Sequence, residues 1–444
     1  MISLFEYGRW SSILDRESLE GMLLSIWDSR IFTRDIELFD SEKDKNYQPF
    51  LQFDGNRIRA NNYVGFVQNG SELIEIYPKV FKSDTSAIHS KELMLKHIFY
   101  WFRYCRRWRF PFNRATLNTI ETTQFPELII NLIANQFLDA VSNQPFTMYQ
   151  ELADAMQTPR GSINFKRYIT SSISYGNYQR IECDYEPFLF NNKVNRSIKY
   201  CSRLLLNQTK FYENQRILQD VIFILDEVDD LPCSVHDIER ISINSFFEDY
   251  EVILDSCKLI LNQQLYSNSS YDLSQWCLLF PMEYIFEDFL AGFLETWFSK
   301  DYKVHYQKSD MYLAETSEGK NVFNMQHDIF LTAKDDSKRK IIVDTKYKLR
   351  STKFKHDPKK GISQNDLYQM ISYAFKRGCT DIVLVYPNIS ESIMPPDRFI
   401  VCSGFDESEK INVTAMEIPF WSINNFDQLE TRLKETINWN ISRL

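Results

Sequence analysis

Apolar and polar positions alternate along the first part of the chain, residues 1–87, which predicts β-strands. Residues 53–67 and the apolar run 73–77 flank the pair Asn69-Gly70. Asparagine and glycine readily adopt the positive φ angles of a two-residue turn, so this pattern is typical of a β-hairpin. The pattern therefore predicts a β-rich N-terminal domain over residues 1–87.

Residues 88–270 have a different pattern, in which apolar residues recur every three or four positions. The recurrence is clear at 93–102 and 128–137 and continues to residue 261. This is the spacing of one face of an α-helix. A short strand-like stretch interrupts it near 161–169, so the prediction is a mainly helical middle region.

Residues 271–444 combine the two patterns. The predicted elements are helices at 281–298 and 363–377 and strands at 322–332, 340–348 and 381–386. The last of these strands is apolar throughout, as expected where both faces of a sheet are covered. The order helix, strand, strand, helix, strand predicts a C-terminal α/β domain. Because 444 residues are too many for one hydrophobic core, the chain is predicted to be a multidomain α+β protein.

Composition narrows the class of protein. The chain has only 12 glycines, and neither GxxxxGK[ST] nor GxGxxG occurs, which argues against a self-contained NTPase or dinucleotide enzyme. The eight cysteines are scattered without a CxxC, so they are expected to be reduced thiols rather than zinc ligands. The N-terminus lacks a signal-peptide pattern and no run of about 18 apolar residues occurs, so we expect a cytoplasmic protein without a membrane span.

Two acidic residues and a lysine stand on neighbouring predicted strands. Asp344 follows the apolar run 341–343, and Lys346 shares its face because side chains at i and i+2 project to the same side of a strand. Asp328 can bring a second carboxylate to the same point. A carboxylate at the end of a buried strand is costly unless it is paired or bound to a metal. Mg²⁺ takes one or two carboxylates plus water and phosphate oxygens, and it can activate water for hydrolysis.

An isolated D-x-K spacing is common, and taken alone it is more often an exposed, salt-bridged strand end than a catalytic site. Three features favour the catalytic interpretation: the preceding apolar strand, the earlier Asp328, and the helix that follows. On that helix Gln369 and Tyr373 are four residues apart and share a face. Glu287, on the helix at 281–298, is a candidate extra ligand or base.

A basic stretch follows the acidic residues. Residues 338–360 contain ten Lys or Arg against two acids, in a chain whose net charge is −9. A local basic strip suits contact with the phosphate backbone of DNA even where the whole protein is acidic. A solvated loop is the alternative. The candidates for backbone contact are Lys348, Arg350, Lys353 and Lys355.

In combination, these blocks resemble the McrC family of restriction proteins. The C-terminal blocks are Pro281-Met-x-x-x-Phe286-Glu287, Asp328, Asp344-Thr345-Lys346 and Asp366-Leu-Tyr-Gln369-x-x-x-Tyr373. The upstream blocks are Ala60-Asn-Asn-Tyr63-Val-Gly65-Phe-Val, Ile74-Glu-Ile-Tyr-Pro78-Lys79-Val80, Arg160-Gly161-Ser-Ile-Asn-Phe and Asn191-x-x-x-Asn195-Arg196. The resemblance therefore covers nearly the whole chain. One departure is His327, which stands where the PD-(D/E)xK nucleases have proline; a packing or hydrogen-bonding role is expected for it, with metal ligation as the less favoured alternative.

The resemblance implies a PD-(D/E)xK nuclease domain over 271–444. Asp328 and Asp344 would be metal ligands, Lys346 the catalytic lysine, and the Thr345 carbonyl a further ligand. Glu287, Gln369 and Tyr373 would support them. The implied cofactor is Mg²⁺, with Mn²⁺ as a substitute.

The resemblance also implies partners and a substrate. These are double-stranded, modified DNA and an AAA+ GTPase or ATPase hexamer of the McrB type, whose nucleotide hydrolysis the chain would stimulate. Residues 1–87 would dock this hexamer. Two alternatives stay open: a non-catalytic adaptor that only stimulates the partner, and a repair nuclease of the same fold.

Overall fold

The computed structural model describes residues 1–31, 48–82, 90–106, 124–149, 152–186, 188–243, 247–264, 275–335, 339–350, 357–402 and 410–441. The chain forms two compact units, one from Met1–Phe125 with Ser274–Leu444 and one from Pro126–Leu273. The predicted N-terminal and C-terminal domains thus share the first unit. The mixed α+β class is confirmed. No helix of the described part of the chain is long and apolar enough to cross a membrane.

The secondary structure elements are numbered in chain order. The helices are α1 (Arg16–Ile31), α2 (Lys91–Phe102), α3 (Phe125–Asn143), α4 (Phe165–Arg167), α5 (Lys193–Gln208), α6 (Tyr212–Ile224), α7 (Val235–Glu239), α8 (Asp249–Gln264), α9 (Met282–Phe298), α10 (Gln364–Arg377) and α11 (Leu429–Ile441). The strands of the N-terminal part are β1 (Ile2–Phe5), β2 (Ser11–Ser12), β3 (Leu51–Asp54), β4 (Arg57–Ala60), β5 (Tyr63–Asn69) and β6 (Glu72–Tyr77). The middle strands are β7 (Met148–Tyr149), β8 (Leu152–Met156), β9 (Ser162–Ile163), β10 (Ile181–Tyr185) and β11 (Phe188–Leu189). The remaining strands are β12 (Gln275–Pro281), β13 (Tyr302–Glu315), β14 (Asn321–Ala333), β15 (Lys340–Thr345), β16 (Asp381–Pro387), β17 (Asp397–Cys402) and β18 (Lys410–Ile418).

The N-terminal part of the first unit is built on a four-stranded sheet with the order β1-β6-β5-β12. The predicted hairpin is confirmed, but its turn lies one residue further along than expected: β5 and β6 pair antiparallel up to Asn69 opposite Glu72, so the two turn residues are Gly70, with φ +59°, and Ser71. Strand β12, which immediately precedes α9, pairs along the whole of β5. This pairing joins the C-terminal part of the chain to the N-terminal sheet.

The C-terminal part of the first unit contains a six-stranded mixed sheet with the order β13-β14-β15-β16-β18-β17. Strands β15, β16 and β18 are parallel, and β13, β14 and β17 run antiparallel to their neighbours. Helix α10 packs on one face, where Met370 and Ala374 lie against Phe330, Ile342 and Leu384. The predicted strand 340–348 is shorter than expected, because Lys348 N donates to the Lys346 carbonyl and turns the chain after Thr345.

Helix α9 is buried along most of its length. This is expected, because its own apolar residues are distributed over all sides of the helix. Trp101 of α2 stacks on Phe420, with ring centroids 3.9 Å apart, and its indole N–H donates to the Phe420 carbonyl. Phe286 and Phe289 of α9 pack edge-on against the same Phe420 ring. Helix α2, which the sequence pattern assigns to the middle region, therefore belongs to the core of the first unit.

Close packing of α9 gives a stability prediction. A Cβ atom at Gly292 would stand 1.8 Å from the carbonyl oxygen of Tyr104, which is backbone and cannot move aside cheaply. We expect Gly292→Ala to destabilise the first unit by about 2–3 kcal/mol, seen as a lower midpoint of thermal unfolding. Gly21→Ala in α1 is the control, since nothing lies within 4 Å of the added methyl group. Equal unfolding midpoints for the two variants would contradict this packing.

The second unit, Pro126–Leu273, is mainly helical, with two small sheets in the orders β8-β10-β9 and β11-β7. Two upstream sequence blocks have structural roles here. Gly161 has φ +64° and lies against the backbone of Asp184, where a side chain would collide. The Asn195 side-chain amide donates to the carbonyls of Phe146 and Phe190, which ties the start of α5 to the preceding loops.

Candidate active site

The pairing of β14 with β15 brings two carboxylates together. Ile329 lies opposite Val343, and Phe330 lies opposite Ile342. One step further along the same register, Asp328 faces Asp344, and opposite residues of an antiparallel pair project to the same side of the sheet. Phe330 and Ile342 belong to the core beneath α10. The two carboxylates therefore lie at the edge of that core, on the α10 face.

Thr345 fixes the position of Asp328. Its backbone N–H and its hydroxyl both donate to Asp328 Oδ2, each at 2.8 Å. Two donors on one oxygen orient the carboxylate and leave Oδ1 available for another ligand. The structure thus assigns Thr345 a contact with Asp328, whereas its carbonyl as a metal ligand stays a prediction.

Buried Asp344 forms a charge pair with half-buried Lys346. Asp344 is 3% exposed, and its Oδ2 lies 2.8 Å from Lys346 Nζ. The contact lacks regular hydrogen-bond geometry, so the ammonium compensates this buried oxygen only in part. Burial, and then the negative charge of Asp328, raise the pKa of Asp344 to about 7. The lysine alone therefore does not fully compensate the charge at this point.

The charge state of Lys346 follows from the same surroundings. Burial disfavours its ammonium form, but the carboxylates of Asp344, Asp328 and Asp366 outweigh burial and raise the pKa of Lys346. Lys346 is therefore protonated at neutral pH. It can donate a hydrogen bond or stabilise negative charge, and it does not act as a base in this arrangement.

Asp366 is a third acidic residue near the pair, and the predicted site did not include it. It lies in the first turn of α10, and its Oδ2 is 3.2 Å from Lys348 Nζ. Its negative charge also acts on Asp344 and Lys346. The signal was present in the sequence, because Asp366 begins the helix block that contains Gln369 and Tyr373.

Gln369 and Tyr373 lie along α10 beside β14. The Gln369 amide donates to the Tyr373 hydroxyl at 3.1 Å, and the Tyr373 ring contacts the His327 ring with centroids 4.8 Å apart. His327 is buried, and its Nδ1 lies 3.3 Å from the Lys308 carbonyl oxygen. Burial lowers the pKa of His327, so the ring is neutral. These contacts agree with the packing role expected for His327.

Glu287 lies on the buried side of α9, and the Gln307 side-chain amide donates to its Oε1 at 3.3 Å. Gln307 lies between two paired positions of β13 that face Ile329 and His327, so it stands level with Asp328. Its φ of +44° is unusual for a residue with a side chain, and such backbone strain is concentrated at functional sites. Gln307 thus connects Glu287 to the strand region of Asp328, and no sequence motif indicated it.

The candidate DNA contacts lie in different environments. Lys348 has an exposed side chain beside Asp366. Arg350 differs from its prediction as a surface contact, because it is buried and its guanidinium donates to Asp397 and to the Lys360 carbonyl. Lys353 and Lys355 lie outside the described residues. Of these four candidates for contact with the DNA backbone, Lys348 is the one whose side chain is accessible among the described residues.

The fit of a metal ion can be tested on the donor set. No group of three or more His, Cys, Asp or Glu side chains in the described ranges could hold a metal ion. The site instead offers the carboxylate pair Asp328 and Asp344. A pair is sufficient for Mg²⁺, which commonly takes one or two carboxylates and completes its shell with water and phosphate oxygens. Asp344 Oδ2, which is buried beside the Lys346 ammonium without regular hydrogen-bond geometry, is the atom that such a cation would satisfy.

The fold and site define a mixed α+β protein whose C-terminal sheet brings together half-buried Asp328 within β14, buried Asp344 near the end of β15, and Lys346 just after it. The chain belongs to the family described as McrBC 5-methylcytosine restriction system component, whose model matches residues 58–387. The resemblance stated from the sequence blocks is thereby confirmed. None of the curated protein sequences matches the chain significantly.

Two solved structures have a similar fold. One is a chain of the refined half-complex from a tetradecameric assembly of Thermococcus gammatolerans McrB AAA+ hexamers with bound McrC. The similarity covers 99% of each chain, with a TM-score of 0.68 and 16% identity. The other is a chain of the cryo-EM structure of the Thermococcus gammatolerans McrBC complex, with 66% of this chain and 86% of that chain covered, a TM-score of 0.52 and 18% identity.

Proposed function

We propose that this chain is the Mg²⁺-dependent DNA endonuclease subunit of a McrBC-like, modification-dependent restriction complex. It would hydrolyse phosphodiesters with a C-terminal domain of the PD-(D/E)xK type. The observation that carries the proposal is the meeting of half-buried Asp328 and buried Asp344 with Lys346, whose Nζ is 2.8 Å from Asp344. Membership of the restriction family supports it, because the matched residues 58–387 include all three.

Each residue of the site has a separate proposed role in phosphodiester hydrolysis. Asp328 and Asp344 would hold Mg²⁺, with the Thr345 carbonyl as a further ligand, and Mn²⁺ would substitute because it also prefers oxygen ligands. When bound, the cation activates water and offsets the charge that builds on the phosphate. Thr345 keeps Asp328 oriented through two hydrogen bonds. The Lys346 ammonium is placed to stabilise negative charge on the phosphate oxygens.

The proposed function also requires two macromolecules, a partner protein and a DNA substrate. The net charge of −9 does not suit a protein that grips DNA alone, so a partner is expected to supply part of the grip. We propose an AAA+ GTPase or ATPase hexamer of the McrB type as this partner, and double-stranded, modified DNA as the substrate. The similar chains come from assemblies of McrB AAA+ hexamers with bound McrC and from a McrBC complex, which supports this choice. Docking through residues 1–87 and a cytoplasmic location stay predictions.

The proposal is tested by cleavage with the purified chain, its AAA+ partner, GTP or ATP, and methylated or unmethylated DNA. We expect cleavage of methylated DNA that requires Mg²⁺, is abolished by EDTA and is restored by Mn²⁺. Hydrolysis by the partner is measured in the same reactions. Stimulated hydrolysis without cleavage of any DNA would favour the adaptor. Partner-independent cleavage of unmodified DNA would favour a repair nuclease.

A further inference from the structure

Glu6, which follows strand β1 directly, contacts Tyr347, the residue after Lys346. Glu6 is fully buried, and its backbone is held by β6, where Glu6 N donates to the Tyr77 carbonyl. Its side-chain Oε2 accepts hydrogen bonds from Lys79 N and from the Tyr347 hydroxyl, both at 2.8 Å. Glu6 and Tyr347 are 341 residues apart in the sequence. The contact therefore joins the N-terminal sheet to the end of β15.

Tyr347 is held at both of its ends. Its hydroxyl donates to Glu6, and its carbonyl accepts a hydrogen bond from Lys79 Nζ at 2.9 Å. Lys79 Nζ also lies 4.2 Å from the centre of the Tyr347 ring, and the ring packs near Phe286 of α9. Both anchoring residues, Glu6 and Lys79, belong to the N-terminal sheet region.

The position of Tyr347 determines the position of Lys346. Lys348 N donates to the Lys346 carbonyl at 2.7 Å, so the chain turns tightly with Tyr347 at its centre. Lys346 N donates to the Val385 carbonyl, which fixes the other side of the residue. Moving the Tyr347 ring would therefore rotate the turn and displace Lys346 Nζ from Asp344.

A purely structural contact would not need a carboxylate here. Burying Glu6 is costly, because its Oε1 has no hydrogen-bond donor among the described residues and apolar side chains could fill the same volume. The hydrogen bond specifies one orientation of the Tyr347 ring, which apolar packing would not. Backbone placement to a fraction of an ångström matters at a catalytic site, where a shift of about 1 Å can lower a rate about a hundredfold.

We propose that Glu6 and Tyr347 are positioning residues, which hold Lys346 against Asp344 through the turn at Tyr347. The N-terminal sheet is then part of the catalytic apparatus of the C-terminal sheet. This inference rests on the proposed nuclease function only for the role of Lys346 in cleavage. The positioning of Lys346 can be measured without cleavage.

The test compares Tyr347→Phe with Tyr77→Phe. Tyr77 is a matched control, because its buried hydroxyl donates to the carboxylate of Glu75 at 2.9 Å in the same sheet. With saturating partner and DNA, we expect Tyr347→Phe to lower the single-turnover cleavage rate about tenfold to a hundredfold. The DNA dissociation constant should stay within about threefold of wild type. Tyr77→Phe should lose similar stability and keep its cleavage rate.

Two further measurements make the outcomes decisive. If Glu6 acts through Tyr347, adding Tyr347→Phe to Glu6→Leu slows cleavage no further. Acetylation of Lys346, followed by mass spectrometry in the absence of DNA, should be faster in Tyr347→Phe than in wild type or Tyr77→Phe. Faster acetylation in Tyr347→Phe, with no DNA cleavage by wild type or by either variant, would support the positioning role and contradict the nuclease proposal. Wild-type cleavage and acetylation in Tyr347→Phe would overturn the positioning while leaving the nuclease intact.

Discussion

Replacing Asp344 with asparagine is expected to abolish DNA cleavage, with a loss of at least about a thousandfold in the single-turnover rate. Asparagine has the size of aspartate but lacks the charge that a divalent cation requires. Asp344 is 3% exposed and faces Asp328 across the strand pair, so its replacement leaves Asp328 as the single carboxylate of the proposed pair. The measurement is cleavage of methylated DNA together with calorimetric Mn²⁺ binding. Both should be lost in Asp344→Asn.

The control for this variant is Asp381→Asn. Asp381 is also buried in the C-terminal sheet, but it lies at the opposite end of the strands and pairs with Arg339 at 2.8 Å. Its substitution should cost stability and spare Mn²⁺ binding. Stimulation of the partner's nucleotide hydrolysis should survive in Asp344→Asn if docking and cleavage are separate roles. Undiminished cleavage by Asp344→Asn would show that the site is elsewhere.

The local part of the site could be predicted from the sequence. Asp344 and Lys346 are two residues apart at the end of an apolar strand that the sequence pattern predicts, so strand periodicity puts them on one face. Asp328 lies on the preceding strand, and antiparallel pairing brings it opposite Asp344. The hairpin followed from the turn preference of Gly70, although the turn residues are Gly70 and Ser71 because Asn69 still pairs with Glu72. In both cases the information is contained within a few residues or within two neighbouring strands.

The remaining parts depend on long-range contacts that no local pattern encodes. Strand β13 was not predicted, because its side chains are mostly half-buried or exposed and do not form an apolar run. Gln307 attains its unusual φ within that strand. The contact of Glu6 with Tyr347 joins residues that are 341 positions apart in the sequence. From the local sequence, Glu6 would be predicted to be a surface residue, and its burial depends on the pairing of β1 with β6.

The second large effect is expected for Lys346→Met, which should lower the cleavage rate about a hundredfold to ten-thousandfold while sparing the metal site. Methionine fills the volume of the lysine stem but provides no charge for the phosphate. The Lys346 charge lowers the pKa of Asp344, so its loss raises that pKa further above about 7. Mn²⁺ binding should therefore be measured at neutral pH and also at about pH 8.5, because the higher pH favours the ionised form of Asp344 that binds the cation.

At that pH, Lys346→Met should bind Mn²⁺ at least as tightly as wild type, because a competing cation 2.8 Å from Asp344 has been removed. Lys320→Met is the control, since Lys320 is exposed in the turn between β13 and β14. It should leave both cleavage and Mn²⁺ binding unchanged. Joint loss of Mn²⁺ binding and cleavage in Lys346→Met would mean that the lysine serves only to hold Asp344 in place. Loss of cleavage alone would separate the charge that stabilises the phosphate from the carboxylates that hold the cation.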